Sequence, residues 1–82
     1  MSITLDERKI FYCKLKNNPK GYQDDLKKEV NFHDNFKFDE LYNEAGSVGL
    51  IKNGMDGRLK KRYSLTELGK EQIEFYLFVY DF

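Results

Sequence analysis

The sequence predicts an α+β domain on three observations. Thr4 carries a capped helical start, apolar residues recur at helical spacing between Tyr22 and Ala45, and the pattern switches to two-residue alternation before Leu65. A chain of 82 residues supports one modest hydrophobic core, so a single domain over residues 1–82 is expected. Hydrophobic residues make up 40% of it and charged residues 34%, a balance that favours a folded chain over a disordered one.

Thr4-Leu5-Asp6-Glu7 reads as a capping box, in which a hydroxyl and a carboxylate three residues apart satisfy the free amides of a helix start. Ile10, Phe11, Cys13 and Leu15 supply the apolar positions of this first helix, and the turn formers Asn17 to Gly21 end it near Lys16. Tyr22, Leu26 and Val30 fall at i, i+4 and i+8, which predicts a short second helix over Gln23 to Val30, with Asp24 and Asp25 at its positive end. Phe38, Leu41, Tyr42 and Ala45 form the stripe of a third helix that stops at Gly46. Val48 to Lys52 is β-prone, Asn53 to Gly57 holds two turn dipeptides, and Lys60 to Leu65 alternates, which together predict a hairpin. Thr66 caps a fourth helix carrying Ile73, Tyr76, Leu77 and Tyr80.

Several functional classes are disfavoured. No apolar run approaches the roughly 18 residues of a membrane span, and the N-terminus lacks the basic-then-apolar order of a signal peptide, so a cytoplasmic protein with no membrane partner is expected. One cysteine, Cys13, and one histidine, His33, are too few soft ligands for structural zinc, and both read as structural residues. No Gly-rich phosphate loop or nucleophile elbow occurs, and Asp24-Asp25 reads as a helix-dipole pair. Neither catalysis nor a cofactor is expected.

Charge is uneven although the net charge is zero. Leu50 to Thr66 holds five cations and one anion, whereas Glu67 to Phe82 holds four acids and one lysine. Arg58, Lys60 and Arg62 can share one exposed edge of the hairpin and meet successive phosphates. Cations on exposed strands also guard against edge-to-edge aggregation, so two readings stay open.

The order of three helices, a hairpin and a closing helix resembles the winged helix-turn-helix superfamily. Val48-Gly49-Leu50-Ile51-Lys52 looks like the strand that leaves the recognition helix in small bacterial regulators of this class, and Tyr63-Ser64-Leu65-Thr66-Glu67-Leu68-Gly69 looks like their wing exit. In that run the aromatic and the leucine face the core, the threonine caps the next helix, and the glycine lets that helix approach the sheet.

The resemblance implies double-stranded DNA as partner, with the third helix in the major groove and the hairpin as a wing. It makes Lys37, Asn43 and Ser47 the candidate base or phosphate contacts of the third helix. Asp34, Asp39, Glu40 and Glu44 lie on or beside the same face and oppose a polyanion, which leaves a solvated helix face as the alternative. The resemblance also implies a homodimer through terminal helices, in which Phe75, Phe78, Tyr80 or Phe82 are intermolecular; otherwise Tyr76, Leu77 and Tyr80 complete the core against the first helix. The expected function is a small DNA-binding regulator, and the alternative is a winged helix used as a protein-interaction module. One surface joining Lys27, Lys28 and Lys37 to the wing cations would favour DNA, and acids separating them would favour the module.

Overall fold

The computed structural model describes residues 3–80. Helix α1 (Leu5–Asn17) opens on the capping box: the Thr4 amide donates to Glu7 Oε1 at 2.9 Å and the Glu7 amide to Thr4 Oγ1 at 3.1 Å. It is followed by β1 (Lys20–Tyr22), α2 (Gln23–Val30), α3 (Asn35–Ser47), β2 (Ile51–Met55), β3 (Lys61–Leu65) and α4 (Glu67–Val79). The architecture is α+β, with four helices around an antiparallel sheet of order β1-β3-β2.

One hydrophobic core joins these elements. Phe11 and Leu15 of α1, Leu26 of α2, Phe38 and Leu41 of α3 and Ile73 of α4 are almost wholly buried, with Ile51 and Tyr63 closing the core from the sheet. Each such side chain contributes about 1.5–3 kcal/mol by leaving water. On α1 the structure corrects the apolar stripe. Tyr12 is buried, Ile10 is 43% exposed and Cys13 is half-buried. The cause lies in α4, whose Tyr76 ring meets Tyr12 edge-on at 4.9 Å and draws the buried face of α1 toward itself.

Three boundaries also move. The segment read as a pure turn, Asn17 to Gly21, ends in strand β1, because its backbone finds partners on β3: Lys20 opposes Ser64, Gly21 opposes Tyr63 and Tyr22 opposes Arg62. Gly46 does not stop α3. The helix runs to Ser47 and ends in a Schellman arrangement, with Leu50 N–H donating to Ala45 O at 2.8 Å and Gly49 at φ +84°, where glycine is favoured. Residues 48–50 are used in that stop, so β2 begins only at Ile51.

Of the two turn dipeptides in the hairpin, Asn53-Gly54 lies inside β2 and the chain reverses at residues 56–60. A reversal at Asn53 would forfeit the pairs Asn53 with Tyr63, Gly54 with Arg62 and Met55 with Lys61. Lys60 therefore sits in the turn and β3 starts at Lys61. Asp56 organises that turn, its Oδ1 accepting from the amides of Arg58 at 2.8 Å and Lys60 at 3.0 Å.

The exit from β3 follows the sequence expectation. Tyr63 is buried, Leu65 packs against the core, and Thr66 Oγ1 accepts from the Gly69 amide at 2.9 Å while its hydroxyl donates to the Gly49 carbonyl at 2.6 Å. Gly69 is buried directly against the Leu50 backbone, a close approach that a side chain would block.

Candidate nucleic-acid interface

Because Phe38, Leu41, Tyr42 and Ala45 face inward, the 100° helical step puts Phe36, Glu40, Asn43 and Ser47 along the opposite, exposed row of α3. The other acids of this helix are drawn sideways. Glu44 takes a two-pronged bond from Arg8 of α1, at 2.6 Å and 3.2 Å, and Asp39 lies 3.8 Å from Lys27 of α2. Asp34 is the N-cap, accepting from the Phe36 amide at 2.9 Å. Among the described residues, Glu40 is the carboxylate of α3 left without an ion pair. Lys37 is turned toward α1, its Nζ 2.6 Å from Glu7 Oε2, and this contact holds the Glu7 carboxyl below the usual range.

Asn43 projects into a cleft between α3 and the wing. The cleft, of about 350 Å³, is lined by Gln23, Tyr42, Asn43, Asn53, Gly54, Met55 and Lys61. It contains three amide side chains, one cation and no carboxylate. Tyr42 forms part of its wall. Burial pushes this phenol up to about 12, so the hydroxyl keeps its proton, and its oxygen has no hydrogen-bond partner within the described residues. Ser47 lies one turn beyond Asn43 at the end of α3.

The wing cations cluster on Tyr22. Lys60 Nζ sits 5.3 Å and Arg62 Cζ 5.4 Å from the centre of that ring, while Tyr22 donates its hydroxyl to Asp56 Oδ2 at 2.8 Å. The Tyr22 bond is the largest influence lowering the Asp56 carboxyl, and it raises the Tyr22 phenol in turn. Strand β1 thus braces the turn of the wing. Arg58 is exposed in the turn.

The structure does not join all the predicted cations in one surface. Lys27 and Lys37 are paired with Asp39 and Glu7, and Lys28 shares a hollow with Lys20 that also contains Asp25 and Glu29. Sequence reasoning missed Gln23, Asn53 and Lys61 of the cleft, and Tyr22 beneath the wing. Only the β1–β3 and β2–β3 registers reveal them, and the three-residue β1 was hidden by its turn formers.

Along α4, Tyr76 and Leu77 pack against the core, whereas Phe75 is 66%, Phe78 82% and Tyr80 41% exposed. Phe82 lies outside the described residues. Within those residues no group of His, Cys, Asp or Glu has the makings of a metal site, and no helix is long and apolar enough to cross a membrane.

The α1–β1–α2–α3–β2–β3–α4 order, with a hairpin braced by β1, defines a winged helix-turn-helix fold. The same fold is found in the crystal structure of a MarR family transcriptional regulator from Silicibacter pomeroyi, with a TM-score of 0.64 and 19% sequence identity over 94% of this chain. The chain spans about half, 54%, of that protein's length. No protein-family model and no curated protein matches the sequence.

Proposed function

We propose that this protein binds double-stranded DNA as a small winged-helix regulator, holding the backbone through its wing and offering the α3–wing cleft to the groove. The carrying observation is the removal of acids from that cleft: Glu44 and Asp39 are committed to Arg8 and Lys27, leaving Gln23, Asn43, Asn53 and Lys61 as the polar lining. Amides can pair with the two major-groove atoms of adenine, and lysines with phosphate or guanine. Arg58, Lys60 and Arg62 are exposed on the wing, with Asp56 tied to the turn and to Tyr22. Likeness to a transcriptional regulator fold agrees with this reading. A cytoplasmic location and a homodimer through Phe75, Phe78, Tyr80 and Phe82 belong to the same proposal.

Fluorescence anisotropy with a labelled mixed-sequence duplex, at low and physiological salt, tests it. The triple variant Arg58→Ala, Lys60→Ala, Arg62→Ala is expected to bind more weakly and to flatten the salt dependence by roughly one unit of slope per lost phosphate contact. Absence of binding by the native chain at low salt would overturn the proposal.

A second reading, a protein-interaction module, is favoured by a different observation. Asp25 and Glu29 interrupt the basic surface between α2 and the sheet, and the exposed aromatics of α4 border an apolar groove of about 560 Å³. Capture of a protein partner that is lost in Phe78→Glu, with no DNA binding, is the result that would replace the first reading by the second.

A further inference from the structure

The outer face of the sheet carries a cationic surface distinct from the wing tip. Residues opposed across antiparallel strands point to the same side, so the register defines two rows on the face turned away from buried Tyr63: Lys20–Ser64–Lys52 and Tyr22–Arg62–Gly54. Three cations therefore surround one small hydroxyl and one glycine. The small residues leave a shallow depression of about 300 Å³ whose lining includes Lys20, Lys52, Arg62, Ser64 and Gly54 and no carboxylate. Among the described residues neither Lys20 nor Lys52 has an ion-pair partner; Asp25 and Glu29 share a hollow with Lys20, and Asp56, bonded to Tyr22, acts on Arg62.

Edge protection does not account for this arrangement. Lys20 and Lys52 do lie on edge strands, but Arg62 belongs to the central strand, where both sides are already paired and no protection is needed. Besides Asn53, Met55 and Tyr63, the depression is lined by three cations and no carboxylate, and it is this density of positive charge that suits a phosphate backbone. A phosphodiester backbone needs only what the face offers: closely spaced cations, a hydroxyl donor, and a surface open enough for a strand to lie across it.

We infer that the outer face of the sheet is a phosphate-binding surface for duplex DNA, with Lys20, Lys52 and Arg62 as its cations and Ser64 as a neutral donor. This rests on the DNA-binding reading above and adds to it a contact surface beyond the wing tip, on a side of the molecule that the exposed row of α3 does not face. The DNA would then be held from the sheet as well as from the α3–wing cleft, by bending or by engaging a second segment.

The test compares the native chain with Lys20→Gln, Lys52→Gln and with a control of equal charge change, Lys16→Gln, Lys70→Gln, each checked for native circular dichroism. Anisotropy against a labelled duplex is read from 50 to 200 mM salt. The sheet variant should lower the slope of log affinity against log salt by about 1.8, at about 0.9 per phosphate contact, while the control leaves it nearly unchanged. An unchanged slope in the sheet variant, or an equal loss in the control, overturns the sheet-face assignment and leaves the wing reading standing. Polyglutamate competing as well as unlabelled duplex, charge for charge, overturns it in favour of an acidic protein partner. No binding by the native chain overturns both.

Discussion

Gly69 shows how one atom of side chain fixes the relation of α4 to the sheet. A Cβ placed there would collide with the Leu50 carbonyl oxygen and press on Leu65 Cδ1 at 2.8 Å, and the Leu50 carbonyl is backbone already engaged by the Thr66 amide at 3.0 Å. The Leu65 side chain can rotate away but the Leu50 backbone cannot, so Gly69→Ala should lose about 1–3 kcal/mol, the usual cost of overpacking. In thermal denaturation that is a fall of roughly 4–8 °C per kcal/mol for a domain of this size, and an unchanged midpoint would show that α4 is free to shift. This glycine was legible in the sequence because its neighbours spell out its role: Thr66 caps, Leu65 faces in, and Gly69 follows where the helix must come close. Tyr12 was not legible, since a tyrosine between Phe11 and Cys13 is assigned inward only once Tyr76 is known to lie across from it.

At the scale of elements, the helices were read closely and the strands less so. A helix announces itself through contiguous caps and periodicity, and α2 falls over Gln23–Val30 as the spacing of Tyr22, Leu26 and Val30 requires. A strand of three residues has no period of its own; β1 exists because β3 lends it hydrogen bonds, and that information lies at Ser64, 44 residues along the chain from Lys20, rather than beside it. The same element decides the stiffness of the wing. Tyr22 of β1 holds Asp56, whose carboxyl is depressed mainly by that bond and then by the Lys60 and Arg58 amides. A depressed carboxyl stabilises the fold fully above the ordinary aspartate value of about 3.9 and loses that contribution as pH falls through its lower folded value. An NMR titration should therefore place the Asp56 midpoint below the ordinary value in the native chain and closer to it in Tyr22→Phe, which keeps the ring under Lys60 and Arg62 but removes the hydroxyl. Equal midpoints in the two proteins would mean that β1 does not brace the wing.

Over the whole molecule, apolar surface remains where the core has no room for it. Phe78 is 82% and Phe75 66% exposed on the same helix that buries Ile73, and with Leu68, Phe75 and Val79 bordering an apolar groove beside Tyr12 and Tyr76, α4 offers both a ridge and a hollow. In the proposed homodimer a second copy would supply both complements through a two-fold axis. Sedimentation equilibrium should accordingly find a dimer that Phe78→Glu converts to monomer without loss of helix content; a native chain that stays monomeric at all concentrations would contradict the proposal of a homodimer. The candidate site was partly legible at this scale as well: the exposure of Asn43, Ser47 and the wing cations followed from spacing, but which acids of α3 are turned aside depended on Arg8 and Lys27, distant in sequence from their partners Glu44 and Asp39.

The location of the bound duplex tests the central claim most directly. Amide chemical-shift mapping of the isotope-labelled protein on addition of a short mixed-sequence duplex at low salt should perturb residues 20–22, 52–64 and the neighbourhood of Asn43 and Ser47, with α4 little affected. Shifts confined to Phe75 and the residues that follow it, or no shifts at all, would contradict DNA binding through the sheet, wing and α3 cleft.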